Sequence, residues 1–304
     1  MKVLITGSNG FIGSYLASQL DKKNYEVKRH IRNQKKLLNN ADHVFFTTSD
    51  LETAVKEIDV VIHCAGKSGP SKNQRNDWDS YHEANAIFTK KVALLAAKNN
   101  VKKFIYLSTI KVYGEETLGG PITLNSKLNP ADFYAKSKLL GEKELKAITE
   151  KNSMSHIILR PGLVYGKEMR GSLNSLRNLI KYHIPLPVGL LKSNKRSMLS
   201  IINLLSFINL ALKSDQASNN TFLLCDDKNY STYELVEALG KSINAKPLTF
   251  PLQDSFIEFI GKSFGKETEV KKLTRSLQID NSFSKQLLGW KPKSNLVDTL
   301  IATW

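Results

Sequence analysis

Residues 1 to 110 alternate short apolar runs with longer stretches whose apolar positions recur at helical spacing. Val3 to Ile5, Glu26 to Ile31, His43 to Phe46, Val60 to His63 and Phe104 to Leu107 read as strands, and Gly13 to Leu20 and Ala84 to Asn99 read as the helices between them. Such alternation predicts right-handed crossovers in a parallel sheet, with ligands at the carboxyl ends of its strands. Beyond residue 130 the pattern predicts a helix over Ala131 to Thr149, a strand over His156 to Leu159, a helix over Ile201 to Lys213 and a strand over Thr221 to Leu224. Gly166 to Met198 and Asp226 to Trp304 read as loop-rich. The expected fold is α/β, a Rossmann-type doubly wound parallel sheet with a smaller interleaved α/β substrate lobe. Residues 1–165, joined by about 199–225, form the first domain, and 166–198 with 226–304 form the lobe. With no linker or internal repeat between them, the two share one core.

At 304 residues the chain is long enough to bury a sizeable core. Its two cysteines, Cys64 and Cys225, lack metal-type spacing, so neither a disulfide framework nor a metal site is expected, and a reducing compartment fits. MKVLITG enters a strand directly, without a charged leader, and the longest apolar stretch, Ile201 to Leu212, is interrupted by Asn203, Ser206 and Asn209. No transmembrane segment and a cytoplasmic location are the expectations, since spanning a bilayer takes roughly 20 apolar residues. The net charge of +16 favours anionic partners. Lysines at 22, 23, 35, 36, 90, 91, 102, 103, 271 and 272 are scattered, without the arginine and aromatic interleaving of a nucleic-acid face, which reads as a solvated basic surface and no nucleic-acid partner.

Candidate chemistry lies at the strand ends. The turn Thr6-Gly7-Ser8-Asn9-Gly10-Phe11-Ile12-Gly13 places glycines where a backbone must approach a pyrophosphate and a helix must start, so Gly7, Asn9, Gly10, Phe11, Ile12 and Gly13 are expected at a dinucleotide. At the end of the second strand an NAD site usually carries Asp or Glu, but Ile31 stands there and Arg32 follows, with Arg29 and Lys35 nearby as further phosphate partners or plain surface charges. NADP(H) is therefore favoured, with NAD(H) as the alternative. Asp50-Leu51 follows the third strand, and the small Ala65-Gly66 end of the fourth lets a cofactor lie against the backbone. His63 reads as a structural histidine. Tyr134 and Lys138, four residues apart on a helix, project onto one face, where an ammonium favours the phenolate. Ser108-Thr109 places hydroxyls at the carboxyl edge of the sheet, some 25 residues upstream of Tyr134.

The glycine turn, Asp50-Leu51, His63 to Gly66, Asn85, Ser108-Thr109, Val112-Tyr113-Gly114, Tyr134 to Lys138 and Arg160-Pro161-Gly162 together resemble, in order over nearly the whole chain, the extended short-chain dehydrogenase/reductases of the NAD-dependent epimerase/dehydratase group. That resemblance implies Thr109, Tyr134 and Lys138 as catalytic residues, with Lys138 also holding the nicotinamide ribose. It adds Asn85 and Pro161 to the cofactor site, and Ser108, Asn174, Arg196 and Arg275 to the site of a UDP-sugar. It also implies a homodimer through the helices near Ala84 to Asn99 and Ala131 to Thr149. The 4,6-dehydratases of the group carry an Asp-Glu pair after the catalytic hydroxyl, where this chain has Ile110 and Lys111, so dehydration is disfavoured. Leu163 matches an Asn of several 4-epimerases. Leu107 to Glu115, Leu159 to Gly166, Ile184 to Leu191 and Arg275 to Asp280 resemble bacterial reductases and epimerases of surface-polysaccharide (O-antigen or capsule) assembly, above all those that form UDP-N-acetyl-quinovosamine. The resulting expectation is reduction of a carbon 4 ketone on a UDP-4-keto-6-deoxy-N-acetylhexosamine. The alternatives are a UDP-hexose 4-epimerase and a non-catalytic dinucleotide-sensing regulator.

Overall fold

Apolar runs that read as strands pair in the computed structural model, which describes residues 1–32, 45–68, 77–166, 169 and 171–302. The strands are β1 (Lys2–Thr6), β2 (Glu26–His30), β3 (Phe45–Phe46), β4 (Val60–His63), β5 (Lys103–Leu107), β6 (Ser155–Pro161), β7 (Leu163–Tyr165), β8 (Arg196–Ser200), β9 (Asn220–Leu224) and β10 (Asn229–Tyr230). Seven of them form a parallel sheet in the order β3-β2-β1-β4-β5-β6-β9, and a second sheet runs β10-β8-β7. The order reverses between β1 and β4, which is where a doubly wound sheet opens a crevice for its ligand. His43 and Val44, expected in the third strand, lie outside the described residues.

The helices are α1 (Phe11–Asp21), α2 (Leu51–Val55), α3 (Trp78–His82), α4 (Phe88–Lys98), α5 (Phe133–Thr149), α6 (Ser172–Lys181), α7 (Ile201–Lys213), α8 (Thr232–Ser242), α9 (Asp254–Ser263), α10 (Glu267–Thr274), α11 (Ser282–Leu288) and α12 (Leu296–Ala302). Both faces of the large sheet are covered, as its continuous apolar strands require. Successive β1 residues feed opposite sides: Val3 and Ile5 join a cluster with Leu16 and Leu20 of α1 and Phe207 of α7, while Leu4 joins one with Val92 of α4 and Leu145 of α5. Among the described residues no helix is long and apolar enough to cross a membrane.

Three local readings differ from the structure. Ala84 to Asn99 is not one uniform helix: a turn of π-helix, Glu83–Ile87, joins α3 to α4. The segments read as loop-rich instead hold α6, α8, α9, α10, α11 and α12 with β8 and β10. Their helices are short, and each buries only a narrow stripe, Leu173, Leu176 and Ile180 in α6 or Leu235, Val236 and Leu239 in α8, too little to stand out in a polar sequence. Finally, β7 pairs into the small sheet although it falls within 1–165, and Phe283, Leu287, Leu288 and Trp290 return from the carboxyl segment to pack on the large sheet. Trp290 is 1% exposed and meets Phe207 edge-on at 5.3 Å, so the chain's end fastens the first core.

Candidate active site

The turn after β1 is fixed by close backbone approach. Gly7 has φ +70°, and a Cβ on it would sit 2.8 Å from the Ala65 backbone. A Cβ on Gly13 would collide with the Gly7 carbonyl, which instead accepts from the Gly10 N–H at 2.9 Å. Helix α1 starts at Gly10 without a side-chain cap, so its first N–H groups face the carboxyl edge, the arrangement that suits a pyrophosphate. Asn9 is exposed at the turn, and Phe11 and Ile12 are half-buried behind it. Beside it the Ala65 N–H donates to Thr6 Oγ1 at 3.3 Å, and Gly66 leaves room for Asn85: a Cβ there would lie 2.6 Å from Asn85 Oδ1. Pro161 is buried at the end of β6. Asp50 is exposed and accepts from Thr47, whereas Leu51, expected at the cofactor, is 1% exposed and its side chain packs in the core with Leu4 and Val61.

At the end of β2, Ile31 is buried and its N–H donates to Phe46 O at 2.9 Å, so no carboxylate stands there. Arg32 is exposed. Arg29 is not available to a phosphate: it is buried and paired with Asp21 at the far end of α1. Lys35 lies outside the described residues. His63 is a strut, with Nδ1 2.7 Å from Thr6 Oγ1 and Nε2 3.0 Å from Thr89 Oγ1, and burial pushes it well below its usual value and keeps it neutral.

The candidate reacting groups converge from the end of one strand and the start of one helix. Thr109 follows β5 in extended conformation and caps a short 3₁₀ turn, Ile110–Tyr113, its Oγ1 accepting from the Lys111 N–H at 3.3 Å. Asp132 caps α5 by accepting from the Ala135 N–H at 2.7 Å, which places Tyr134 in the helix's first turn and Lys138 one turn on. Burial raises the Tyr134 phenol above its usual value, and the neighbouring Thr109 hydroxyl and then the charge of Lys111 pull it back. The spacing assigned that electrostatic work to Lys138; the groups that draw the phenol down are Thr109 and Lys111. Lys138 is 3% exposed, with Nζ 4.3 Å above the Tyr106 ring, and burial lowers it to about 8. Asn85 is the hub: its Nδ2 donates to Ser137 Oγ at 2.9 Å and to Lys67 O at 3.0 Å, while Oδ1 accepts from the Lys67 N–H at 2.8 Å. Its seat on the π-helical turn is the kind of irregularity that collects at functional sites. Ser137 lies inside the Tyr-Lys motif and escaped notice because its role depends on a partner 52 residues away.

Ser108 turns inward. Its hydroxyl donates to Glu142, which also accepts from Arg160 Nε at 3.0 Å and Nη2 at 2.5 Å, while Arg160 Nη1 donates to Tyr113 at 2.5 Å. The four residues form a buried brace under the Thr109 turn rather than a substrate surface.

Of the residues expected to grip the substrate, Arg196 and Arg275 meet in the lobe. Arg196 Nη1 donates to Arg275 O at 2.9 Å, and Arg275 holds Glu258 with two bonds of 2.9 Å. Asn174, in the first turn of α6, is half-buried.

Residues 3–222 match the NAD dependent epimerase/dehydratase family. The chain is 36% identical to a UDP-glucose 4-epimerase from Vibrio cholerae over 97% of its own length and 92% of that protein's. It is 26% identical to the N-acetyl-alpha-D-glucosaminyl-diphospho-ditrans,octacis-undecaprenol 4-epimerase of Escherichia coli O157:H7, covering 91% and 87% of the two. Its fold is shared with the UDP-glucuronic acid 4-epimerase of Bacillus cereus in complex with NAD, at TM-score 0.80, 24% identity and coverage of 99% and 97%. A glycine turn that suits a dinucleotide, a hydroxyl, a half-buried phenol and a buried amine at one sheet edge, and these likenesses agree: the chain is an enzyme and belongs to the NAD-dependent epimerase/dehydratase family of extended short-chain dehydrogenase/reductases.

Proposed function

We propose that the chain is a UDP-hexose 4-epimerase that interconverts the carbon 4 epimers of UDP-glucose or UDP-N-acetylglucosamine. The carrying observation is that Thr109 follows β5 next to Tyr134, with Lys138 one turn along α5, while the two positions after Thr109 hold a buried Ile110 and an ion-paired Lys111. Epimerisation needs one proton moved at one oxygen, and this site offers one phenol to move it. Dehydration needs a further acid/base pair at neighbouring carbons, and neither residue supplies one. Tyr134 takes the proton of the carbon 4 hydroxyl and later returns it, Thr109 holds that oxygen, and Lys138 holds the ribose beside it. The dinucleotide, bound through the Gly7 to Gly13 turn, Ala65, Gly66 and Asn85, supplies the hydride acceptor and donor. The curated relatives of known activity named above are 4-epimerases, and this replaces the expected 4-keto reductase as the leading reading.

Incubation with UDP-glucose, UDP-galactose and their N-acetylamino counterparts, without added reductant, tests it. Either epimer of a pair should yield the same mixture, read from the anomeric proton signals. Stoichiometric consumption of NADPH with a UDP-4-keto sugar, and no epimer exchange, would restore the reductase.

Arg32 at a strand end that lacks a carboxylate supports NADP(H) over NAD(H) as the preferred cofactor. Titration of both forms decides, with equal affinity or a preference for NAD(H) refuting it. Ile87 and Leu94, 38% and 50% exposed and seven residues apart along the helical segment, support a homodimer through this face, measurable by sedimentation. The undecaprenol-linked substrate in the name of the E. coli relative supports a place in surface-polysaccharide precursor synthesis.

A further inference from the structure

Lys111 fills a place where dehydratases of the family put a carboxylate, yet it is built into the site. Its Nζ donates to Glu115 Oε1 at 2.6 Å and to Asp132 Oδ2 at 3.0 Å, and stands 6.0 Å from the centre of the Tyr134 ring. Its backbone N–H donates to Thr109 Oγ1. Asp132 uses its other oxygen to cap α5 ahead of Tyr134. One side chain thus ties the turn that carries Thr109 to the end of the helix that carries Tyr134. Glu115 lies in turn 3.6 Å from Lys272 of α10, which extends the tie to the lobe.

We propose that Lys111 is a positioning residue for Tyr134, cross-linking the Thr109 turn to the amino end of α5 and setting a positive charge beside the phenol. This rests on Tyr134 being the acid/base of the 4-epimerase. The groups around Tyr134 are Thr109 and Lys111 on the turn, Asp132 at the cap, Tyr81 of α3, Tyr106 of β5 and Lys138 one turn along α5. Two of these are cations, and they behave differently. Lys138, buried, approaches neutrality near pH 8. Burial acts on Lys111 in the same direction, but Asp132 and Glu115 outweigh it and hold the ammonium charged. Above pH 8, therefore, the cation that stays beside the phenol is Lys111.

The test compares Lys111→Gln and Lys111→Arg with the parent, each with and without Tyr134→Phe. Subtracting the phenolate absorbance of the Phe version isolates the ionisation of Tyr134 without any substrate. Lys111→Gln should raise it by about half to one pH unit, the order expected for a charge 6 Å away in a screened site, and Lys111→Arg should restore it. The acid limb of kcat for 4-epimerisation should move by the same amount, with KM for the UDP-sugar changed less than about twofold. Should Lys111→Gln not fold, Asp132→Asn keeps an acceptor for the helix cap but removes a negative charge, and should move Tyr134 downward. An unmoved Tyr134 titration in the folded variants overturns the proposal. A shifted titration in a protein that epimerises nothing refutes the function and leaves Lys111 in its role.

Discussion

The edge of the large sheet that carries Thr109 and Tyr134 and the end of the lobe that carries Arg196 and Arg275 are held together in opposite ways. Behind Thr109 and Tyr134 the polar groups that join strand to helix are buried and have fixed partners: Asn85 is 0% exposed with three bonds, and Glu142 is 2% exposed between Ser108 and Arg160. In the lobe Arg275 is 45% exposed on its side chain and engages Glu258 at the surface. A buried network fixes geometry because each lost partner leaves a desolvated group, whereas an exposed pair is screened and exchangeable. The proposed chemistry thus sits on a rigid half and the proposed recognition on an exchangeable one.

The largest effect should come from breaking the rigid half. Arg160→Met leaves Glu142 buried without its cation, and the loss should be about 3–5 kcal/mol, a fall in Tm on the order of 10 °C by calorimetry. A loss like that of a surface substitution would mean that water reaches the brace and that the contrast is overdrawn. Next, Tyr134→Phe removes a proton carrier but no core contact. Turnover should drop about a hundredfold or more with cofactor binding and Tm unchanged, and near-parental turnover would end the catalytic assignment.

These two residues also mark what the sequence made legible. The glycine turn was readable because its demand is steric and local, and the Tyr-Lys pair because four residues make one helical turn. The brace was not: Glu142 and Arg160 lie on α5 and β6, and only the packing of helix on sheet joins them. Lys111 was visible as a departure from a pattern, but its partner Asp132 is 21 residues away. Arg29 read as a phosphate partner or a surface charge and is neither, because nothing local tells that its side chain runs back to Asp21. The lobe was the least legible region, its short helices each burying a few apolar side chains.

In the exchangeable half the effects are smaller and their sign is informative. Arg196→Ala should weaken UDP binding about tenfold and cofactor binding hardly at all, as expected for one charge-assisted contact. Glu258→Gln releases Arg275 and should tighten UDP severalfold, while Arg275→Ala weakens it. If Glu258→Gln weakens UDP, the pair is a strut and the lobe is as fixed as the catalytic edge.

The smallest effect at neutral pH concerns an exception within the rigid half. His30, at the end of β2, is 2% exposed and stacks on Phe88 with ring centroids 5.4 Å apart, yet neither ring nitrogen has a hydrogen-bond partner among the described residues. Burial lowers it to about 4, so the folded protein keeps it neutral while the unfolded chain protonates it near 6.5. Between these values the unfolded state binds more protons, and stability is lost as pH falls from 6.5 towards 4. His156, also lowered by burial to about 4, adds a slope of the same sign but has a partner, with Thr149 Oγ1 2.8 Å from its Nδ1. His30→Leu should therefore stabilise the protein by about 1 kcal/mol at pH 7, where it removes an unsatisfied polar ring, and should flatten the acid slope without abolishing it, because His63 and His156 remain. Denaturant unfolding at pH 7 and pH 5 measures both. A destabilised variant with an unchanged slope would show that His30 is satisfied in solution, and that the rigid half has no such exception.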